Sequence, residues 1–549
     1  MIEQLKEKSE AQKLRGGYYT PKIIADFLCR WSIQENTESV MEPSCGDGNF
    51  IESAILRFNE LGISGEQLKG RIKGIELIKE ESLKAKIRAE NLGLNSNTII
   101  HNDFFHYISS NGVEKYDVVI GNPPFIRYQN FPEEHRNLAI GMMQNLGLSP
   151  NKLTNIWVPF LVISASLLKS SGKMALVVPA ELFQVKYAAE TRVFLSKFFD
   201  RITIITFKKL VFDTIQQEVV LLLCEKKVEH DKGIRVIECE TLKDLGTINF
   251  IAINGSNVKP IDHSTEKWTK YFLTEEEINL LKRLRNDRRV ISCGEIMEVD
   301  VGLVTGRNEF FMMNENQVKT WNLKAYTIPV ASKSNQLKGI TFSEEDFKEN
   351  SGKQNQIHLF IPPNVDFDKL PEECQNYIEF GENQGFSLGY KTRIRKRWYI
   401  TPSLWVPDAF VLRQVGDYPK IILNETGASS TDTIHRVRFR NNVDRKMVAS
   451  CFLNSLSFAF SEVTGRSYGG GVMTFEPSEI EEIKIPILCD IDIDFVKLDT
   501  LIRKRKIEEA LDIVDQALLI SHYGFSKNEV DMLRGIWRKL TQRRINRKK

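Results

Sequence analysis

The feature that most constrains this chain is a rhythm in its first 225 residues, where short β-rich apolar runs alternate with helix-like stretches. Candidate strands fall at 40–42, 72–76, 98–101, 117–121, 174–178, 202–206 and 219–224, with helical segments at 22–32, 50–61, 79–91, 156–169 and 181–198. Parallel strands need a long crossover between them, usually a helix, so this pattern predicts a mostly parallel α/β sheet. The last two runs have no helix between them and are expected to pair antiparallel at the sheet edge. The expected fold is therefore a Rossmann-like, seven-stranded α/β sheet.

A chain of 549 residues exceeds one compact core, so two or three domains are expected. After about residue 265 the strands become short and irregular, and turns such as Val304-Thr305-Gly306-Arg307-Asn308 appear. We expect a first domain at 1–265, a mixed α/β domain at 266–490 and a helical, basic segment at 491–549. No long apolar run suggests a membrane span, and the charged N-terminus lacks the apolar core of a signal peptide. The eight cysteines are scattered without a C-x-x-C pair, which argues against a zinc site or disulfide framework and for a reducing cytoplasm. No metal is expected.

The turn Met41-Glu42-Pro43-Ser44-Cys45-Gly46-Asp47-Gly48 sits where a strand ends and a helix begins. Glycines there let a ligand approach the backbone, and the helix N-terminus adds partial positive charge. Neither G-x-G-x-x-G nor a P-loop occurs. An acid at the strand end suits a cationic ligand, such as the methionine ammonium of S-adenosylmethionine, better than a pyrophosphate. The next strand ends in Glu76, placed to accept ribose hydroxyls. The third is followed by Asp103 and Phe104, an acceptor and a ring for an adenine.

The fourth run, 117–121, ends abruptly in Asn122-Pro123-Pro124-Phe125. Proline fixes φ and holds the neighbouring carbonyls rigid. The Asn122 side-chain oxygen and the Pro123 carbonyl can then accept both hydrogens of one planar NH₂ group. That draws the amine out of conjugation, while Phe125 offers a stacking face. Positioning supplies most of the rate, with no metal or strong base.

On these residues the chain resembles the gamma-class adenine-N6 DNA methyltransferases of type II restriction–modification systems. Gly17-Tyr18-Tyr19-Thr20-Pro21 comes first, then the turn at Glu42, then Asn122 to Phe125, and later Val301–Asn308 and the 468–486 stretch, in that family's order. The resemblance implies a seven-stranded S-adenosylmethionine-dependent methyltransferase sheet with a C-terminal target-recognition domain. It implies that Thr20, Glu42, Ser44, Gly46, Glu76, Asp103, Phe104 and Pro124 line the cofactor site. Asn122 and Pro123 would hold the target amine, and Phe125 and Phe212 would pack on a flipped adenine. The expected partners are double-stranded DNA and a separate restriction endonuclease, and a monomer is expected.

The net charge is only +3, but basic clusters lie in the second half, at Lys391–Tyr399, at Arg503–Lys506 and in the tail from Arg538. Arg393, Arg395, Lys396 and Arg397 are candidate DNA contacts, against the alternative of a solvated face. A related motif also serves enzymes that methylate RNA bases or protein glutamine amides, since the target is again a planar NH₂. The long basic second half favours DNA. A nuclease in the same chain is not expected, and the intact Asn122–Phe125 set argues against a binding-only protein.

Overall fold

A computed structural model describes residues 19–546, apart from 113, 152, 210, 212–217, 249, 251–257, 441–442, 468–469 and 488–490. The chain divides into two compact units, one reaching Thr274 and the other running from Glu275 to Ile545.

The first unit is built on one sheet. Its strands are β1 (Val40–Glu42), β2 (Ile72–Glu76), β3 (Ile99–His101), β4 (Tyr116–Gly121), β5 (Leu168–Pro179), β6 (Arg201–Phe207), β7 (Val219–Glu225) and β8 (Gly233–Cys239), in the order β3-β2-β1-β4-β5-β7-β6-β8. Pairing is parallel from β3 to β5, and β7 runs antiparallel between β5 and β6. The helices α1 (Lys22–Ser32), α2 (Asn49–Glu60), α3 (Lys79–Asn91), α4 (Phe104–Asn111), α5 (Glu133–Asn145), α6 (Trp157–Ser166) and α7 (Ala189–Phe198) complete the α/β pattern. Burial on both faces explains the unbroken apolar run Val219–Cys224, all of it buried.

All seven expected strands form, but the antiparallel pair is not at the edge. β8 adds outside β6, parallel to it over Arg201–Phe207. Its sequence, Gly-Ile-Arg-Val-Ile-Glu-Cys, hides the strand because Arg235 is a buried charge whose Nε donates to Thr203 Oγ1 at 2.8 Å. The expected helix at 181–198 also begins later, at Ala189. The buried Arg192 guanidinium donates to the carbonyls of Leu182 and Val185, both at 3.1 Å, and to those of Thr265 and Glu266. Those bonds satisfy an irregular backbone that would otherwise carry unpaired acceptors. Burial pulls the Arg192 pKa down to about 10. Gly48 starts α2 with φ of 90°, and a Cβ there would lie 3.0 Å from the Ala85 Cα on α3, so only glycine lets these helices approach.

The second unit centres on five short strands: β9 (Met297–Asp300), β10 (Thr341–Phe342), β11 (Ala409–Leu412), β12 (Ile421–Asn424) and β13 (Ile434–Phe439), ordered β9-β13-β11-β12-β10. A second core gathers Phe310, Phe311, Phe360 and Tyr377, with Trp398 packed against it. The helices after residue 490 belong to this unit. Arg503 donates to Asp346 and Asp499, so the first residue of the basic run at 503–506 is anchored within the fold. Helix α8 (Ser455–Thr464) is tied to α9 (Lys527–Asn546) by a buried ion pair. Arg544 Nη2 lies 2.8 Å from Glu462 Oε1, both side chains 3% exposed, and Thr541 Oγ1 donates to the same oxygen at 2.6 Å. Part of the basic tail is therefore structural and cannot serve a polyanion. Arg544→Ala leaves a buried carboxylate without its charge partner and is expected to cost about 3–5 kcal/mol, to be read as a lower urea midpoint at unchanged slope.

Among the described residues no helix is long and apolar enough to cross a membrane.

Candidate active site

The C-terminal ends of β3, β2, β1 and β4 bring the sequence-predicted residues to one edge. Register places Glu42 opposite Gly74, Glu76 opposite His101 and Met41 opposite Val119. The strand order reverses beside β1, where open α/β sheets form their ligand crevice.

Glu42 is the most confined of these groups. It is 1% exposed, and its Oε2 is buried without a hydrogen-bond partner. Burial, then the charges of Glu76 and Asp47, pushes its pKa well above the usual carboxylate value. Gly121, with φ of 149°, lies beside it, and a Cβ there would sit 3.4 Å from Glu42 Cγ. Glu76 accepts from the Gly46 and Ile78 N–H groups, each at 2.8 Å, so it shapes the turn. Burial raises its pKa too, and those two bonds reduce the rise without cancelling it. Gly46 adopts φ of 53°, and nothing occupies the space where its Cβ would be. Arg88 on α3 ties down the rest of the turn, donating to Asp47 Oδ2 at 2.8 Å.

One contact joins this turn to the Asn-Pro-Pro-Phe loop, and a second joins the loop to Thr20. Ser44 Oγ donates to the Asn122 carbonyl at 3.4 Å, and Asn122 Nδ2 donates to Thr20 Oγ1 at 3.1 Å. The second fixes the plane of the Asn122 amide and explains why Thr20 precedes the first helix. Pro123 is buried, and Pro124 is half-buried. Phe125, also half-buried, packs on the main core of the unit. Asp103 caps α4, accepting from His106 N at 2.9 Å, and Phe104 beneath it stacks on Phe160 with centroids 5.2 Å apart. Phe212 lies outside the described residues.

The structure adds His135, whose Nδ1 lies 3.3 Å from Asp103 Oδ1. No spacing in the sequence links positions 103 and 135, because they meet only when α5 folds over α4.

The Lys391–Tyr399 run forms a helical turn at Tyr390–Arg393 followed by irregular backbone. Arg393 and Lys396 are exposed. Arg395 donates to the Val304 carbonyl at 3.0 Å, and burial lowers its pKa. Arg397 donates to Asp366 at 2.6 Å and to Asn364 at 2.8 Å.

Comparison with known families agrees with this arrangement. Residues 50–212 match the Eco57I restriction-modification methylase profile, and residues 265–519 match the profile of the type II methyltransferase M.Eco57I C-terminal domain. The chain belongs to this family of restriction–modification methylases. The methylase is 23% identical to the type II methyltransferase M.AccI of Acinetobacter calcoaceticus over 494 residues, covering 86% of this chain and 85% of that one. It is also 23% identical to M.HindII of Haemophilus influenzae, covering 56% of this chain and 57% of M.HindII. Its fold is similar to that of the type IIL restriction-modification enzyme MmeI, solved in complex with DNA, with a TM-score of 0.56 at 13% identity. That match covers 94% of the methylase and 73% of MmeI. The eight-stranded sheet and the second unit are thus the methyltransferase and C-terminal parts of this family, whose members imply S-adenosylmethionine as methyl donor.

The residues present fit that donor. A buried carboxylate oxygen without a partner suits a cationic ammonium, and the open space at Gly46 admits a ligand against the backbone.

Proposed function

We propose that the methylase transfers a methyl group to the exocyclic N6 amine of an adenine flipped out of a specific duplex DNA sequence. The observation that carries this reading is the junction of Asn122 with Thr20 and Ser44 at the switch point, beside the buried Glu42. S-adenosylmethionine, when bound, supplies a methyl group on a sulfonium, activated for in-line attack. The chain supplies positioning. Glu42 holds the ammonium, and Glu76 accepts from the ribose through lone pairs its two backbone bonds leave. Asp103 accepts from the cofactor's adenine amine beside Phe104. The Asn122 side-chain oxygen and the Pro123 carbonyl accept the two hydrogens of the target amine, so its lone pair faces the methyl group. Phe125 stacks on the target base, and Phe212 is a proposed second packing residue.

A base inside a duplex is out of reach, and unstacking it costs a few kcal/mol. Stacking on aromatic rings returns about 1–3 kcal/mol, and phosphate contacts supply the remainder. Arg393 and Lys396 are the better placed of the four proposed DNA contacts, since Arg395 and Arg397 already bond within the fold. The same reading makes the methylase a cytoplasmic monomer whose product protects DNA from a separate restriction endonuclease.

Incubation with methyl-labelled S-adenosylmethionine and three acceptors tests the substrate class. Label is expected in duplex DNA and not in structured RNA or in glutamine-containing protein. Label confined to RNA or protein refutes the reading.

A further inference from the structure

The second unit holds an open cavity of about 380 Å³ between the turn Val304–Glu309, Lys391 and Asp432. Its wall carries both signs of charge, with Arg307 and Lys391 as donors and Glu309 and Asp432 as acceptors. The other arginines of the neighbouring basic run bond within the fold, Arg395 to the Val304 carbonyl and Arg397 to Asp366. Among the described residues Arg307 and Lys391 carry no such ion pair, and both are exposed.

The cavity is held in shape. Gly306 adopts φ of 83°, where a Cβ would press to 2.9 Å from Lys391 Cβ. A Cβ at Gly389 would lie 2.9 Å from Arg307 Nε, so glycine there makes room for the guanidinium. The buried Thr392 hydroxyl meets the carbonyls of Phe386, Ser387 and Gly389 at 2.9–3.1 Å and pins the adjoining tip. On that tip Leu388, Tyr390 and Ile394 are 74%, 72% and 66% exposed, interleaved with Lys391, Arg393 and Lys396.

We propose that this cavity reads the major-groove edge of one G·C base pair, with the apolar tip lying in the groove beside it. The inference rests on the reading that the substrate is duplex DNA. A phosphate seat would not place two carboxylates in its wall, since both repel the ligand. A base-pair edge requires both signs. Guanine offers two acceptors that an Arg fork or a Lys matches, and cytosine offers an amine that Asp or Glu accepts. Arg307, with Lys391 beside it, donates to guanine O6 and N7, and Asp432 accepts from cytosine N4. The exposed apolar side chains contact base edges or thymine methyls, while Arg393 and Lys396 face the phosphates.

The test is competitive binding, after the wild-type motif is mapped, to duplexes carrying each base-pair substitution across it. Measurements use the full chain and the variants Arg307→Ala and Asp432→Asn, with equal thermal midpoints as the control for folding. Both variants are expected to lose about tenfold or more of their discrimination at one and the same G·C position, and to keep it elsewhere. A uniform loss of affinity across all duplexes, or a motif without a G·C pair, overturns the inference and leaves the DNA reading intact. A wild-type chain that binds and modifies no DNA overturns both.

Discussion

Asn122→Ala is expected to lower kcat for methyl transfer by about 10³-fold, with S-adenosylmethionine and DNA affinities within about threefold of wild type. The magnitude follows from removing one pre-oriented polar group that acts on developing charge, which typically costs 10²–10³-fold. Here the lost acceptor also aims the nucleophile, so the larger end applies. Asn122 Nδ2 donates to Thr20 Oγ1 at 3.1 Å, and the main-chain carbonyl that accepts from Ser44 is kept by alanine. Single-turnover methylation alongside equilibrium binding separates the two effects. Binding and rate lost together would make Asn122 a structural residue, and retained activity would remove it from the mechanism.

Glu42→Gln is expected to weaken S-adenosylmethionine binding by at least about 30-fold while raising the melting temperature of the unliganded protein near pH 8. Removing one member of a buried charge pair costs about 2 kcal/mol or more in affinity. The stability effect has the opposite sign because without ligand the carboxylate is buried, with Oε2 unpartnered. Burial, then Glu76 and Asp47, raises the pKa of Glu42 in the folded state. The folded protein thus holds this proton more tightly than the unfolded one, and unliganded stability falls as pH rises from the ordinary carboxylate value toward the raised one. Glutamine keeps the shape and never ionises, so that fall should shrink. A cationic ligand needs the ionised form, so wild-type affinity should rise with pH across the same window, and Glu42→Gln should flatten that rise. Calorimetric titrations and thermal melts from pH 5 to 8.5 read both. A variant that loses affinity and stability together would make Glu42 a packing residue instead.

The catalytic half was legible because its signals are local. A β run that stops at two prolines, and acids at successive strand ends, both follow from chain geometry over a few residues. What was hidden was long-range or carried by charges. β8 escaped notice because Arg235 interrupts its apolar pattern, and only the fold supplies Thr203 as its partner. The Thr20–Asn122 and His135–Asp103 contacts join segments that meet through tertiary packing alone. The basic clusters gain a second role in the fold. Arg395, Arg397, Arg503 and Arg544 look like a polyanion-binding surface in the sequence, and each also bonds a carbonyl or carboxylate of its own unit. Arg307 lies in the Val301–Asn308 stretch that the sequence marks, but its juxtaposition with Asp432 comes only from the cavity they share.

The central claim is that Asn122 to Phe125 present an adenine N6 amine of duplex DNA for methylation. Nucleoside mass spectrometry with single-base mapping of DNA from cells expressing wild type or Asn122→Ala tests it most directly. The account predicts N6-methyladenine at one position of a defined motif in wild type and its absence in Asn122→Ala. Modified cytosine instead, or undiminished N6-methyladenine in the variant, would contradict it.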